Sequence, residues 1–337
     1  MRKLYALLLI LSISVPLVYA MKTGIINIPS FGNVAVIGSG IGEHYNLDDY
    51  LTSTGLTPVQ KWAVLLDEIS IYHFNTLRLT FDFVDCPVGG GLSPIMNYDS
   101  IEPIIAYVYS RGYRVILDLH NWHNLYHYCG SPNWYTNWCN VASRFKGDNR
   151  IIGFELFNEP TNTYGSSNPE WYETWHPSIT SRADLARAYA NLTDQIRAID
   201  KDRTVVWADP MSYFQTTSTT LLPVGSFRED CIFAWHGWMG TASLANDYNG
   251  TIAKAVTKVN RMIWWKQQYP TSKQWLGEFG MYSLLNGVQY NYTCQRDYDV
   301  TLVNACVDNG WSFNFWFWSN MHWGAGDYKE VMRLSKW

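Results

Sequence analysis

Charge is what this 337-residue sequence has least of. Lys, Arg, Asp and Glu together make up 16% of it, against about a quarter in an average soluble chain. The balance is 25 basic to 29 acidic residues, a formal net charge of −4, with no basic run. Phosphate backbones are neutralised by clustered Lys and Arg, so this weighs against a nucleic-acid partner. Internal repeats, low-complexity tracts and Pro/Ser-rich linkers are also missing, which favours one catalytic-size domain without an appended module. None of the six cysteines (86, 129, 139, 231, 294, 306) forms a CxxC pair, the usual mark of a zinc knuckle or thioredoxin-like site. Beyond the N-terminus, no segment is long and apolar enough to span a bilayer.

Aromatics fill the space that charge leaves. There are 17 Trp, 23 Tyr and 14 Phe, and 47% of the residues are hydrophobic. That composition excludes disorder, and a chain of this length can bury a large core. The N-terminus reads as an address. Met1-Arg2-Lys3 precedes the apolar run Leu4 to Val18, and Val18-Tyr19-Ala20 offers a cleavage site. The expectation is a signal peptide over 1–20 and a mature catalytic domain over 21–337, secreted, monomeric and without stable membrane association. An uncleaved anchor is the alternative; the run is short for a span of about 20 residues, and Pro16 interrupts it. Export makes disulfides plausible, with Cys129–Cys139 and Cys294–Cys306 as the expected local pairs. Cys231 would then pair with Cys86 or remain an inert buried thiol.

Short apolar strands alternate with longer helical stretches. Strands are expected at Val34–Gly38, Thr76–Phe81, Arg114–His120, Ile151–Asn158, Thr204–Ala208, Ile232–His236, Gln274–Glu278 and Ser312–Trp318. Helices are expected from Thr57, over Tyr98–Ser110, Asn133–Phe145, Ser181–Ile199, Ala245–Gln268 and Arg296–Asn309. Eight β-then-α units predict an α/β chain folded as a single (β/α)8 TIM barrel. A doubly wound open sheet is the alternative, and Gly38, Gly40 and Gly42 echo its Gly-rich turn. Glu43-His44-Tyr45 stands where its helix should begin, so nucleotide binding is discounted.

Barrel enzymes carry their chemistry where strands end. Here the second strand holds Arg78 between leucines, and the third ends Asp118-Leu119-His120. The fourth ends Asn158-Glu159-Pro160, the sixth in His236, the seventh in Glu278 and the eighth in a Trp cluster. Two carboxylates on different strand ends, walled by aromatics, suit glycoside hydrolysis: one donates a proton to the leaving oxygen and the other attacks or stabilises the sugar cation. No metal, nucleotide or other cofactor is implied.

Phe154-Glu155-Leu156-Phe157-Asn158-Glu159-Pro160 resembles the fourth-strand signature of glycoside hydrolase family 5. Leu276-Gly277-Glu278-Phe279-Gly280 resembles its seventh-strand nucleophile segment, and Asp118-Leu119-His120-Asn121 its third-strand motif. The resemblance spans roughly residues 34–328. It implies Glu159 as acid/base and Glu278 as nucleophile of a retaining mechanism. It also implies Asn158 on the sugar 2-hydroxyl, Arg78 holding the nucleophile ionised, and His120 and His236 lining the cleavage subsite. Trp316 or Trp318 would supply an aromatic platform. Trp238 stands where the family usually has Tyr, and indole offers an N–H donor only.

Other residues have blander readings. Glu155 is expected in a buried network, since buried charges need partners, and Asp118 as a structural acceptor. His123 and His127 have metal-ligand spacing but lack the Glu of a metalloprotease helix, and are read as loop. Trp122, Trp134, Trp238 and Trp323 are possible sugar platforms. The expected function is endo-β-1,4-glucanase acting on a β-linked polysaccharide. A β-mannanase or another β-glucan or xyloglucan hydrolase is the alternative, and a non-catalytic carbohydrate-binding protein is the reading from another class.

Overall fold

The computed structural model describes residues 98–120, 129–160, 178–209, 222–238, 246–280, 291–316 and 328–336, with shorter pieces among 25–41, 60–83 and 284–289 and at 176. Residues 1–24 lie outside the described residues, and with them the expected signal peptide. Cys86, Trp122, His123, His127, Trp318 and Trp323 also lie outside them.

Eight parallel strands close a barrel: β3 (Ile37–Ile41), β4 (Thr76–Phe81), β5 (Arg114–Leu119), β6 (Ile151–Glu155), β7 (Thr204–Ala208), β8 (Ile232–His236), β9 (Lys273–Glu278) and β12 (Ser312–Trp316). The last strand pairs with both β9 and β3, which closes the ring. Two antiparallel pairs lie outside it, β1 (Ile25–Ile28) with β2 (Gly32–Ala35) and β10 (Leu284–Leu285) with β11 (Val288–Gln289). The described helices are α1 (Tyr98–Ser110), α2 (Pro132–Arg144), α3 (Arg182–Ile199), α4 (Tyr248–Gln268), α5 (Tyr292–Asn309) and α6 (Tyr328–Leu334). Side chains cap several of them: Ser131, Ser181, Asp247 and Asn291 each accept a main-chain N–H of the first turn.

The expected first strand is corrected. The apolar run from Val34 is divided between β2 and β3, and the glycine-bearing Ile37–Ile41 enters the barrel because partners flank it on both sides. Gly38 pairs with Thr76 and with Asn314. This closed ring replaces the open-sheet alternative.

Strand alternation separates two cores. Leu77, Leu79, Leu117, Val205, Phe233 and Leu276 join the large cluster against the helices. Ile116, Ile152, Val206, Ile232, Ala234 and Trp275 form a separate cluster, which fills the barrel interior. Arg78 and Asp118 share the inward phase of their strands.

Two bulges break the alternation where it matters. The β5–β6 register skips Ile152, and the β8–β9 register skips Gly277. Strict alternation would put Glu155 on the face of Ile151, and Glu278 on the face of Leu276, both in the outer core. One extra residue in each strand turns both carboxylates inward, the re-aiming that bulges perform beside active sites. Gly277 also permits close approach, since a Cβ there would lie 3.1 Å from His236 Nε2.

The expected disulfides are corrected: Cys129, Cys139, Cys231, Cys294 and Cys306 are all free. Cys294 and Cys306 lie on one helix, α5, about 18 Å apart at 1.5 Å per residue, beyond any disulfide. Cys139 instead lies against Gln195 Oε1 of α3, at 3.5 Å, and Cys129 and Cys231 are buried thiols.

Asp299, on α5, is 1% exposed, and neither carboxylate oxygen has a hydrogen-bond partner among the described residues. Burial holds its pKa well above the ordinary value. A raised folded-state pKa means stability that is full below the unfolded value and is lost as pH rises toward the folded one. Asp299→Leu is therefore expected to stabilise the fold at pH 8 by about 1–3 kcal/mol, with the gain vanishing near pH 4, as read by urea unfolding at both pH values.

Candidate active site

The polar strand ends converge at the C-terminal mouth of the barrel. Arg78, projecting inward from β4, is fully buried over the Trp275 ring, 5.9 Å from its centroid. Its guanidinium donates through Nε to Glu155 Oε2 at 2.7 Å and through Nη1 to Glu278 Oε1 at 2.5 Å. Nη2 donates to Glu155 Oε1 at 3.0 Å and to Asn158 Oδ1 at 2.9 Å, and lies 3.1 Å from Asp118 Oδ2. One cation thus faces three buried carboxylates. Burial works against the Arg78 charge, but the three acids outweigh it and hold its pKa well above the ordinary value. Burial pushes Asp118 and Glu155 up to about 7, against the pull of Arg78. Glu155 thus occupies the buried network expected of it.

A second chain of bonds runs from Asp118. His120 Nδ1 lies 2.8 Å from Asp118 Oδ2, and His120 Nε2 lies 3.3 Å from Asn158 Nδ2. The Asn158 amide donates and the ring nitrogen accepts, so His120 carries its proton on Nδ1 and donates that N–H in a hydrogen bond to Asp118. This leaves one Asn158 N–H for a ligand hydroxyl.

Beyond Glu155 the chain leaves the strand three residues earlier than expected, yet it stays pinned. Leu156 N donates to Val206 O and Asn158 N to Leu119 O. Trp134 and Trp138 of α2 both donate their indole N–H to Leu156 O, at 2.9 and 3.0 Å. Trp134 is fully buried, so it is a support of the fourth-strand loop and not a sugar platform. Glu159 follows with φ +41, a conformation that costs a non-glycine residue about 1–3 kcal/mol and tends to cluster at functional sites. It is doubly unusual ahead of Pro160, because proline drives the preceding residue toward extended backbone.

His236 joins the two candidate carboxylates. Its Nδ1 is 2.6 Å from Glu159 Oε1 and 3.3 Å from Glu278 Oε2. Burial lowers its pKa to about 4, although Glu278 opposes the shift, so the ring is neutral at pH 7. Glu159 is pushed by burial up to about 7, against His120, Arg78 and Lys258. Burial also raises Glu278, opposed first by His236 and Arg78 and reinforced by Glu159.

Glu278 is held on both sides. Arg78 occupies Oε1, and Trp238 donates Nε1–H to Oε2 at 3.2 Å. Trp238 is only 7% exposed, so its place is against this carboxylate, where an open platform would leave it free. The main chain is fixed as well: Asn314 Nδ2 donates to Gly277 O, Gly237 N to Glu278 O, and Tyr298 OH to Gly237 O. Trp316 ends β12, but its side chain lies outside the described residues.

Glu159, His236 and Glu278 offer ligand atoms within 4.8 Å of one another, a set that could hold a divalent cation. Such an ion would sit beside the Arg78 guanidinium and compete with it and with Trp238 for Glu278, an unfavourable position for positive charge. Two charged residues at the site escaped the sequence reading. Asp209 follows β7 and could have been found by the strand-end rule used for the others. Lys258 lies on α4, where nothing in the sequence points it at the barrel mouth.

Residues 40–322 match the family described as Cellulase (glycosyl hydrolase family 5). Among solved structures, the chain resembles endo-glycoceramidase II from Rhodococcus sp. at 16% identity and TM-score 0.60, over 86% of this chain and 75% of that one. It resembles endoglucanase Cel5A from the hyperthermophilic Thermotoga maritima at 14% identity and TM-score 0.60, over 89% and 96%. A GH5-4 broad specificity endoglucanase from Clostridium acetobutylicum matches at 16% identity and TM-score 0.58, over 89% and 96%. At such identities these likenesses speak for the barrel alone.

Proposed function

The chain belongs to glycosyl hydrolase family 5, and from that premise we propose that it is a secreted, retaining endo-β-1,4-glucanase with Glu159 as acid/base and Glu278 as nucleophile. The observation that carries the stereochemistry is spacing. Oxygens of Glu159 and Glu278 lie within 4.8 Å of each other, on the side of the about 5–5.5 Å typical of retention and far from the about 6.5–9.5 Å that inversion needs to seat a water.

The reaction divides into two steps. Glu278, ionised and held by Arg78 and Trp238, attacks the anomeric carbon. The bond to the leaving oxygen breaks as Glu159 gives that oxygen its proton. In the second step Glu159, now a carboxylate, takes a proton from water. The water oxygen bonds to the anomeric carbon, and Glu278 leaves as a carboxylate. Asn158, whose Oδ1 is fixed by Arg78 and whose amide has one N–H to spare, binds the 2-hydroxyl. His120 and His236 complete the wall of the cleavage subsite.

The glucan preference is supported by the family's description as cellulases and by an aromatic-rich, charge-poor composition suited to stacking on sugar faces. Reducing-sugar release from carboxymethyl-cellulose, mixed-linkage glucan and galactomannan tests it. Cleavage of the two glucans is the expected result. Cleavage of galactomannan alone would move the substrate to mannan, and binding without cleavage of any polymer would overturn the enzymatic reading. N-terminal sequencing of exported protein is expected to begin at Met21.

A further inference from the structure

Charged groups stand behind His236 that the two-step reaction above leaves unused. Lys258 lies on α4, outside the barrel wall, yet its Nζ reaches back to the end of β8 and donates to the main-chain oxygen of His236 at 3.4 Å. That histidine's ring is the group seated 2.6 Å from Glu159. Asp209, just past β7, is 7% exposed. Its N–H donates to Ala234 O at 2.7 Å, and its Oδ1 has no hydrogen-bond partner among the described residues. Asp209 faces Lys258, Arg261 and Arg182, and Lys258 in turn faces Glu159. The ammonium is thus drawn electrostatically to two buried carboxylates, while its hydrogen bond goes to a carbonyl.

We propose that Lys258 is a positioning residue for the acid/base: its ammonium clamps the main chain of His236, whose ring is seated on Glu159, and brings a positive charge to the acid/base side of the site. The proposal rests on Glu159 being the acid/base. Burial by itself would keep the Glu159 proton in place. Arg78 is committed to Glu155, Glu278 and Asn158, and His120 is bonded at both nitrogens to Asp118 and Asn158. Lys258 adds its charge to the pull of His120 and Arg78 toward ionisation. Among the described residues, the charged and titratable groups that interact with Glu159 are Arg78 on β4, Asp118 and His120 at β5, His236 on β8, Glu278 on β9 and Lys258 on α4. Burial, joined by Lys254 and Arg261 of its own helix, brings Lys258 down to about 7, opposed by Asp209 and Glu159.

Loss of the cation raises the Glu159 pKa, so the pH above which the first step fails moves upward and the second step slows at any given pH. The test is the pH dependence of kcat/KM on cellotetraose for wild type, Lys258→Met, Lys258→Gln and Lys258→Arg. The alkaline limb is expected to move up by about one pH unit in the Met and Gln variants and to stay in place in Lys258→Arg. The Gln variant keeps a donor for the His236 carbonyl and so isolates the charge. An unmoved limb in folded Met and Gln variants, or an equal shift in the Arg variant, would overturn the proposal. In parallel, azide added to Glu159→Ala with an aryl β-cellobioside separates the two readings. Restored turnover there keeps Glu159 as acid/base whatever Lys258 does, and no restoration removes the premise itself.

Discussion

Glu278→Gln is expected to lower glucan hydrolysis by about 10⁴-fold or more while the barrel still folds. The substitution keeps shape and removes the nucleophilic oxygen. It also inverts a hydrogen bond, because Glu278 receives donors on both oxygens, from Arg78 and from Trp238. An amide must turn its NH2 toward one of them, so some loss of thermal stability accompanies the loss of activity. Glu159→Gln removes the proton donor and is expected to cost about 10²–10⁴-fold on a natural glycoside. The loss should be much smaller on an aryl glycoside whose leaving group needs no proton. With Glu159 at about 7 and Glu278 raised above the ordinary Glu value, wild-type kcat/KM should be bell-shaped. The alkaline limb near 7 marks loss of the Glu159 proton, and the acid limb marks protonation of Glu278. Reducing-sugar assays across pH 4–9 on the three proteins check both claims. Retention of most polymer activity in either Gln variant would remove that residue from its role.

Arg78→Met should be the most damaging single change to the fold near the site. The guanidinium is the counter-charge for Asp118, Glu155 and Glu278, all of them 2% exposed or less. Removing one partner of a buried pair leaves uncompensated charge and typically costs about 3–5 kcal/mol. The carboxylates left behind respond by holding protons, so their folded-state pKa values rise further. A raised folded value means stability lost as pH increases, and Asp118 and Glu155 stand at about 7 even with Arg78 present. The melting-temperature deficit of Arg78→Met should therefore be larger at pH 8 than at pH 5. Activity should fall with it, because a protonated Glu278 does not attack. If the variant does not accumulate folded, Arg78→Lys restores the charge without the planar fork and should recover part of the stability but little of the geometry. Equal deficits at both pH values would mean that packing, rather than charge, is what Arg78 supplies.

How much of this was legible beforehand varies residue by residue. Tyr98–Ser110, Thr76–Phe81, Thr204–Ala208 and Ile232–His236 are read with their observed bounds, because period-2 and helical spacing are local properties of the chain. The strand-end rule brought Arg78, His120, Asn158, Glu159, His236 and Glu278 to one place, since parallel strands of a closed barrel all end on the same face. Trp134 is buried in α2, which its position after a strand does not disclose. The local cysteine pairs failed because nearness in sequence is not nearness in space when a straight helix lies between.

The sequence determined the barrel, the order of its strands and the carboxylates at their ends, all of which follow from short-range periodicity and residue type. Tertiary structure alone decided three things. The bulges at Ile152 and Gly277 turned Glu155 and Glu278 inward against the phase of their own strands. Packing against Glu278 placed Trp238 on the carboxylate, and the crossing of α4 over β8 brought Lys258 to His236. Each depends on how one element lies against another, and on register between strands distant in sequence, which no local pattern of residues records.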